Sequence, residues 1–282
     1  MIKNYEITRT TKKGKEYTFV VEEFSSAYEL VDTNLRRPVT PQWEDDRFEA
    51  SRVPKEKDFF GVSSRDEAYE LLRDGWTQEL ESMNIAMKKI ATVTAPKRSA
   101  FKNDVVGFAP VVPLAMMNVP NSMLNTNVKP VKSKVIKIIY DVTDGCGTKA
   151  ETFIKRGKKI MEAIVTLERS GYRCELYAFQ SYFDERKAEC LMVKVKESNQ
   201  PLDVKRMMFP LTHPAFFRVI GFEWEDRFPP ARHLWGRGKA FHYNSDHEEV
   251  AKLMFGEETV FLDAEDADMG MDEIAKKLRG EA

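Results

Sequence analysis

The sequence predicts an α/β fold, a mixed sheet flanked by helices and carrying an N-terminal α+β appendage, and three observations carry that prediction. The run from Val135 to Val142 is apolar and β-branched, Thr143-Asp-Gly-Cys-Gly147 breaks it, and residues 148–170 continue with a 3.6-residue apolar period until Gly171. Cys174–Phe179 then supplies a second strand, so the unit reads as a parallel crossover whose loop at residues 141–147 lies at the carboxyl ends of the strands. The stretch Cys190–Lys196 follows after only the short polar turn at residues 184–189, which forces it antiparallel to its predecessor.

The remaining elements follow in order. Residues 4–22 alternate polar and apolar around Lys13-Gly-Lys15, which reads as a hairpin pairing Tyr5–Thr8 with Tyr17–Val21. Residues 24–31 read as a short helix opened by serine caps, and residues 37–57, with three prolines and many charges, as a loop or extended arm. Ser64 is placed as the N-cap of a helix, Glu67 completes a capping box and Gly75 stops it. A second helix is expected from Thr77 to about Ile90. Further on, residues 201–209 and 214–224 read as helices, 258–263 as a buried strand and 270–278 as a terminal amphipathic helix. The organisation expected is an appendage over 1–90, a proline-rich irregular segment over 91–133 and an α/β core over 134–282.

The irregular segment has no firm period. Residues 108–124 are apolar, with three prolines and two asparagines, and proline at that density argues against a long helix or a central strand. Packing across the core is the expectation. An assembly surface made by Pro113, Met116, Met117, Pro120 and Met123 is the alternative.

A composition of 42% hydrophobic and 32% charged residues in 282 permits a sizeable core. No apolar run is long enough to span a bilayer, and the first residues lack the apolar core of a signal peptide. Three scattered cysteines make neither a disulfide framework nor a zinc knuckle, so a reducing cytoplasm is expected. Net charge is −1 but unevenly spread: residues 86–160 hold 14 Lys and Arg against four acids, whereas residues 220–282 hold eight against 15. Such asymmetry suggests a basic face for phosphate or an acidic partner, unless folding scatters the charges.

Strand, Asp-x-Thr loop, helix and strand hairpin together resemble the start of a von Willebrand factor type A domain, a Rossmann-like fold. The resemblance implies a divalent metal, Mg²⁺ or Mn²⁺, held by an Asp-x-Ser-x-Ser loop. Asp141 and Thr143 match its first two ligand positions, Asp144 lies beside them, and Gly145 replaces the third hydroxyl. Thr212 or His213 would complete the coordination from another loop. Separately, Phe24-Ser-Ser-Ala-Tyr-Glu-Leu30 and the stretches 64–76, 112–123 and 211–217 resemble a family of uncharacterised proteins of tailed phages and prophages. That resemblance implies a phage protein working in the cytoplasm of a bacterial host.

Motifs of catalysis are sparse. Gly145-x-Gly147 before a helix could cradle a phosphate but lacks the full dinucleotide or P-loop fingerprint. His233, His242 and His247 with Asp246 match no standard zinc spacing, and Cys146 has no identified base. Binding is therefore expected rather than chemistry. Lys97, Arg98, Lys102, Lys129, Lys132 and Lys134, with Phe101 and Phe108 interleaved, suit single-stranded nucleic acid or a nucleic-acid-bound complex. Capture of a host defence or regulatory complex is the alternative, and a metal-dependent hydrolase or nuclease the third. Self-association stays open.

Overall fold

The computed structural model of the chain describes residues 2–36, 57–77, 101–126, 134–184, 186–225 and 246–280. The expected α/β fold is present. A six-stranded sheet runs in the order β1-β2-β8-β7-β6-β9, and a separate three-stranded sheet in the order β3-β5-β4. In the large sheet β1 is Lys3–Thr10, β2 Glu16–Phe24, β6 Val135–Asp141, β7 Arg173–Asp184, β8 Lys187–Lys196 and β9 Thr259–Leu262. In the small one β3 is Phe101–Asp104, β4 Ala109–Pro110 and β5 Met123–Thr126.

Strands β7, β6 and β9 are mutually parallel, and β8 folds back antiparallel to β7, as the short turn requires. The hairpin expected at the N-terminus is there and pairs the expected segments, with Tyr5 opposite Val21 and Thr8 opposite Thr18. It does not stand apart from the core as an appendage. Strand β2 lies parallel to β8, pairing Val21 with Cys190 and Phe24 with Val193, so the hairpin extends the sheet. Residue spacing could not show this, because β2 and its partner are more than 160 residues apart in the chain.

Both faces of the sheet are covered. On one side α5 (Ala150–Arg169) packs its buried stripe Gly157, Ile160, Met161, Ile164 and Leu167 against the strands. Joining it there are α1 (Ala27–Arg36), α2 (Lys57–Phe60), α3 (Arg65–Asp74) and α6 (Val204–Thr212), then a buried π-helix at Phe216–Gly221 that continues into α7 (Phe222–Glu225). Two short helices, α9 (Ala264–Asp268) and α10 (Met271–Arg279), complete that layer. On the other side α8 (His247–Phe255) seals a smaller core of Phe19, Val21, Ile139, Phe179, Cys190 and Met192. Each large apolar side chain so buried contributes about 1.5–3 kcal/mol.

The expected caps are made. Ser64 accepts from the Glu67 amide at 3.0 Å, while the Glu67 carboxylate reaches back to the Ser63 amide at 2.5 Å, one residue earlier than a standard capping box. Ser26 caps α1 through the Glu29 amide at 3.2 Å. Helices α8 and α9 are additional to those the apolar period gave, and the helix expected over 77–90 lies, beyond Thr77, outside the described residues.

The apolar segment departs from expectation. It forms β4, β5 and a five-residue helix, α4 (Val112–Met116), with Pro110 on an edge strand and Pro113 in the first helical turn, where a missing N–H costs nothing. It is not core packing: Val106 is 74% exposed, Met116 81% and Met117 72%. A sheet of four-, two- and four-residue strands is too small to enclose a core of its own.

One buried group gives the fold a pH dependence. His213, at the end of α6, lies edge-on to Trp76 and beside Phe209, and its Nδ1 accepts from the Ala215 amide at 3.1 Å. Burial pushes its pKa down to about 4. The unfolded chain then binds a proton that the folded chain refuses, so stability present above about pH 6.5 is lost as pH falls towards 4. The expected loss from this group is about 2 kcal/mol at pH 5 relative to pH 7, at roughly 1.4 kcal/mol per pH unit. Urea unfolding of the wild type and His213→Gln at both pH values checks it: the variant should lose less stability on acidification.

Candidate functional site

The carboxyl-terminal parts of β6 and β7 and the loop after β6 bring together the buried polar side chains Asp141, Thr143, Asp144, Gln180 and Ser181. Asp141 ends β6, and its Oδ1 accepts from the Thr143 amide at 2.9 Å, turning the chain out of the strand. Thr143 Oγ1 accepts from the Ser181 amide at 3.2 Å, which ties the loop to β7. Asp144 Oδ1 accepts from the Gly145 amide at 2.7 Å, and its Oδ2 is ion-paired with Arg156 on the second turn of α5. The same guanidinium forks onto Asp268 of α9 at 2.9 and 2.6 Å, which holds the Asp268 carboxyl below its usual range.

Arg218 approaches this loop from the π-helix. It is fully buried and donates to the carbonyls of Phe59 (2.8 Å), Gly145 (3.0 Å) and Thr148 (2.7 Å). Its guanidinium lies 3.8 Å from the Phe59 ring centroid and 4.5 Å from that of Phe153. Burial lowers its pKa to about 10, so it remains a cation at neutral pH. Gly145 and Thr148 thus accept a built-in cation through their carbonyls.

A second polar row crosses the sheet nearby. Gln180 of β7 donates to Glu225 at 2.5 Å, and the Trp224 indole donates to Glu22 of β2 at 2.6 Å. Glu189 of β8 is buried as well. Gly221 permits this approach, since a Cβ there would lie 1.9 Å from Gln180 Oε1. Sequence reasoning missed Arg218, Gln180, Glu22, Glu189 and Glu225. Only the run Glu223-Trp-Glu225 inside an apolar stretch hinted at polar groups turned inward.

The loop expected to hold a metal therefore has its oxygens engaged. Asp144 faces a guanidinium, the Thr143 hydroxyl and Asp141 carboxylate accept backbone amides, and Thr212 Oγ1 donates to the Met208 carbonyl at 2.7 Å. Neither Thr212 nor His213 is turned to the loop by these bonds. Among the described residues no three His, Cys, Asp or Glu side chains converge as a metal set. As it stands, the donor set does not fit Mg²⁺ or Mn²⁺, because Arg156 supplies the positive charge that Asp144 would otherwise take from the ion. Cys146 is exposed at the loop tip.

His233 and His242 lie outside the described residues, His247 approaches Asp263 at 3.6 Å, and Asp246 pairs with Lys13 and Lys15 at 3.0 and 2.6 Å. Of the basic residues, Lys102 is exposed on β3 and Lys134 is exposed just before β6. The backbone of Phe101 begins β3, while Lys97, Arg98, Lys129 and Lys132 lie outside the described residues. Pro113, Met116, Met117 and Pro120 are exposed and Met123 is half-buried, so the expected partner surface is on the outside of the small sheet.

The family model described as Domain of unknown function (DUF7192) matches residues 5–279. The chain belongs to the DUF7192 family. No curated protein and no solved structure matches it. The matched span takes in the first hairpin, the small sheet and the last helix, so the DUF7192 unit includes both sheets. Among the described residues no helix is long and apolar enough to cross a membrane.

Proposed function

We propose that this DUF7192 protein acts by binding, and that the small sheet carries the contact surface for a protein partner. The observation behind this reading is the exposure of Val105, Val106, Val112, Met116 and Met117 together within 13 residues of the small sheet and its helix. Clusters of that kind mark interaction sites on soluble domains, and unbranched methionines adapt to varied partners. The buried polar groups at the strand ends, by contrast, are engaged in holding the loop, α5, α9 and the π-helix together. The reading rests on surface chemistry and assigns no catalytic step. Its natural setting, on the phage resemblance, is the host cytoplasm, with a host defence or regulatory complex as the partner. The hairpin at the end of the strand–loop–helix unit supports the type A likeness, and such domains commonly serve as interaction platforms.

The test is capture from a bacterial lysate with the wild type and a Val106→Ser, Met116→Ser, Met117→Ser variant. A defined partner retained at high salt and lost in the variant, whose unfolding free energy should stay within about 0.5 kcal/mol of wild type, is expected. Equal capture by both sinks the surface assignment.

Single-stranded nucleic acid is the second reading, favoured by the exposure of Lys102 on β3 and of Lys134 just before β6. Anisotropy titration of labelled single-stranded DNA should then show binding that weakens steeply with salt and falls several-fold in Lys102→Glu/Lys134→Glu. Absence of salt-sensitive binding at low ionic strength removes this reading.

A further inference from the structure

One end of the large sheet is an edge that the preceding readings do not use. Strand β1 begins the sheet order, runs for eight residues and, among the described residues, pairs on one side only, with β2. The hydrogen-bond phase of that hairpin is fixed at its turn. The Thr11 amide donates to the Lys15 carbonyl at 2.8 Å, and the Thr18 amide turns away from β1 to the Arg186 carbonyl at 2.9 Å. The bonds to β2 therefore fall to Tyr5, Ile7 and Arg9, and the N–H and C=O of Asn4, Glu6, Thr8 and Thr10 point outward. Those four residues are all exposed. Among the described residues their outward groups meet nothing beyond β1 itself, where the exposed Arg9 guanidinium donates to the Thr8 carbonyl at 3.2 Å.

Such an edge is completed by one further strand, and β1 of a second copy has the right length and charges. Turned antiparallel about a two-fold axis, β1 meets itself with its outward groups in phase in two registers that use nearly the whole strand. The first sets Glu6 against the partner's Glu6 and Lys3 against the partner's Arg9, and like charges directly opposite destabilise a strand pair. The second is centred on Ile7. It sets Ile7 against the partner's Ile7, Tyr5 against the partner's Arg9, Glu6 against the partner's Thr8 and Asn4 against the partner's Thr10. No charge there faces its like, and like charges come together only on diagonals of about 7–8 Å. Lys3 is moreover already paired with Glu23 at 3.3 Å.

The flanking helix leaves room for this pairing. Helix α8 lies by the turn end of β1, where Arg9 Nε donates to the Leu253 carbonyl at 3.3 Å and the Lys12 amide to Glu249 at 2.6 Å. A two-fold axis at Ile7 sends the two copies of α8 to opposite ends of the strand pair.

We propose that two copies of this chain associate through β1, antiparallel about Ile7, so that the six-stranded sheet continues across an isologous dimer. A single strand pair is a small interface, and interfaces of that size are weak, so the dissociation constant is expected on the order of tens of micromolar. The inference is independent of the small-sheet surface and stands or falls by itself.

The test is sedimentation velocity of the full chain between about 1 and 500 µM, a range that brackets a weak interface. The wild type should pass from monomer to dimer across it. Thr8→Pro removes an outward N–H that no bond inside the fold uses, a change tolerated on an edge strand, and should abolish the dimer with an unchanged unfolding midpoint. Thr8→Glu should weaken it about fivefold, because each introduced carboxylate faces the partner's Glu6. Glu6→Lys/Thr8→Glu turns those pairs into opposite charges and should restore the dimer to wild-type strength or better.

A wild type that stays monomeric up to the highest concentration overturns the proposal. So does a dimer that persists in a folded Thr8→Pro protein, and one that persists there but is lost in Val106→Ser/Met116→Ser/Met117→Ser forms on the small sheet instead. Should Thr8→Pro fail to fold, the two charge variants decide alone: a dimer indifferent to both does not pair Glu6 with Thr8 and sinks the register on Ile7.

Discussion

Arg218→Met is expected to lower the stability of the fold by about 3–5 kcal/mol, read from urea unfolding at neutral pH. Two effects oppose each other. A buried guanidinium costs desolvation energy, visible in its pKa being pushed down to about 10, and removing it recovers that cost. Its loss, however, leaves the carbonyls of Phe59, Gly145 and Thr148 without the donor that joins α2, the strand-end loop and the π-helix. It also removes the cation from between the Phe59 and Phe153 rings. Three charge-assisted hydrogen bonds at about 1.5–3 kcal/mol each outweigh the recovered desolvation, since a methionine donates nothing. Arg218→Lys should fall between, because a single ammonium cannot meet carbonyls on opposite sides of the guanidinium. A methionine variant as stable as the wild type would show that the loop holds its shape without Arg218.

Gly157→Ala is expected to destabilise by about 3 kcal/mol, the opposite sign to the roughly 1 kcal/mol gain that alanine brings to an ordinary helix interior. Gly157 lies in the middle of α5, where α6 crosses it. An added Cβ would stand 2.4 Å from the Leu211 carbonyl oxygen and 2.5 Å from the Thr212 Cα. Those are backbone atoms, so no side-chain rotation relieves the overlap and α6 must move away. Its displacement would disturb His213 and the packing of Trp76 upon it. Gly147→Ala is the matched control: nothing lies within 4 Å of its Cβ position, and its stability should change by less than about 0.5 kcal/mol. Differential scanning calorimetry of both variants separates the two cases, and a stabilised Gly157→Ala protein would refute the close crossing.

The legible parts of the fold were those set by local pattern. The strand at residues 135–141, the 20-residue helix and the reversal at residues 184–187 were readable because period, a glycine stop and a short turn each constrain their own neighbourhood. The N-terminal hairpin was readable for the same reason, but its place in the sheet was not. The parallel pairing of β2 with β8 leaves no trace in residue spacing, since the alternation along a strand sets which face is buried and not which strand lies beside it. The proline-rich stretch was misread as core packing because its apolar composition carries no direction. Pro110 does sit on an edge strand, but β5, which starts at Met123 and holds no proline, is the central strand of the small sheet.

At the strand-end loop the residue types were right and their partners were not. Asp141, Thr143 and Asp144 do gather at the carboxyl end of β6, as a strand–loop–helix unit requires. That Asp144 faces Arg156, and that Arg218 arrives 70 residues later to take the loop carbonyls, depends on how α5 and the π-helix pack. The sequence alone determined the α/β class, the crossover unit, the hairpins and the caps, all of which rest on interactions a few residues long. Only the tertiary structure decided that the hairpin joins the main sheet, that a methionine-bearing helix stands exposed and that β9 ends the sheet order beside β6. These are matters of which surfaces meet, and burial of apolar area has no direction until the elements that compete for it are in place.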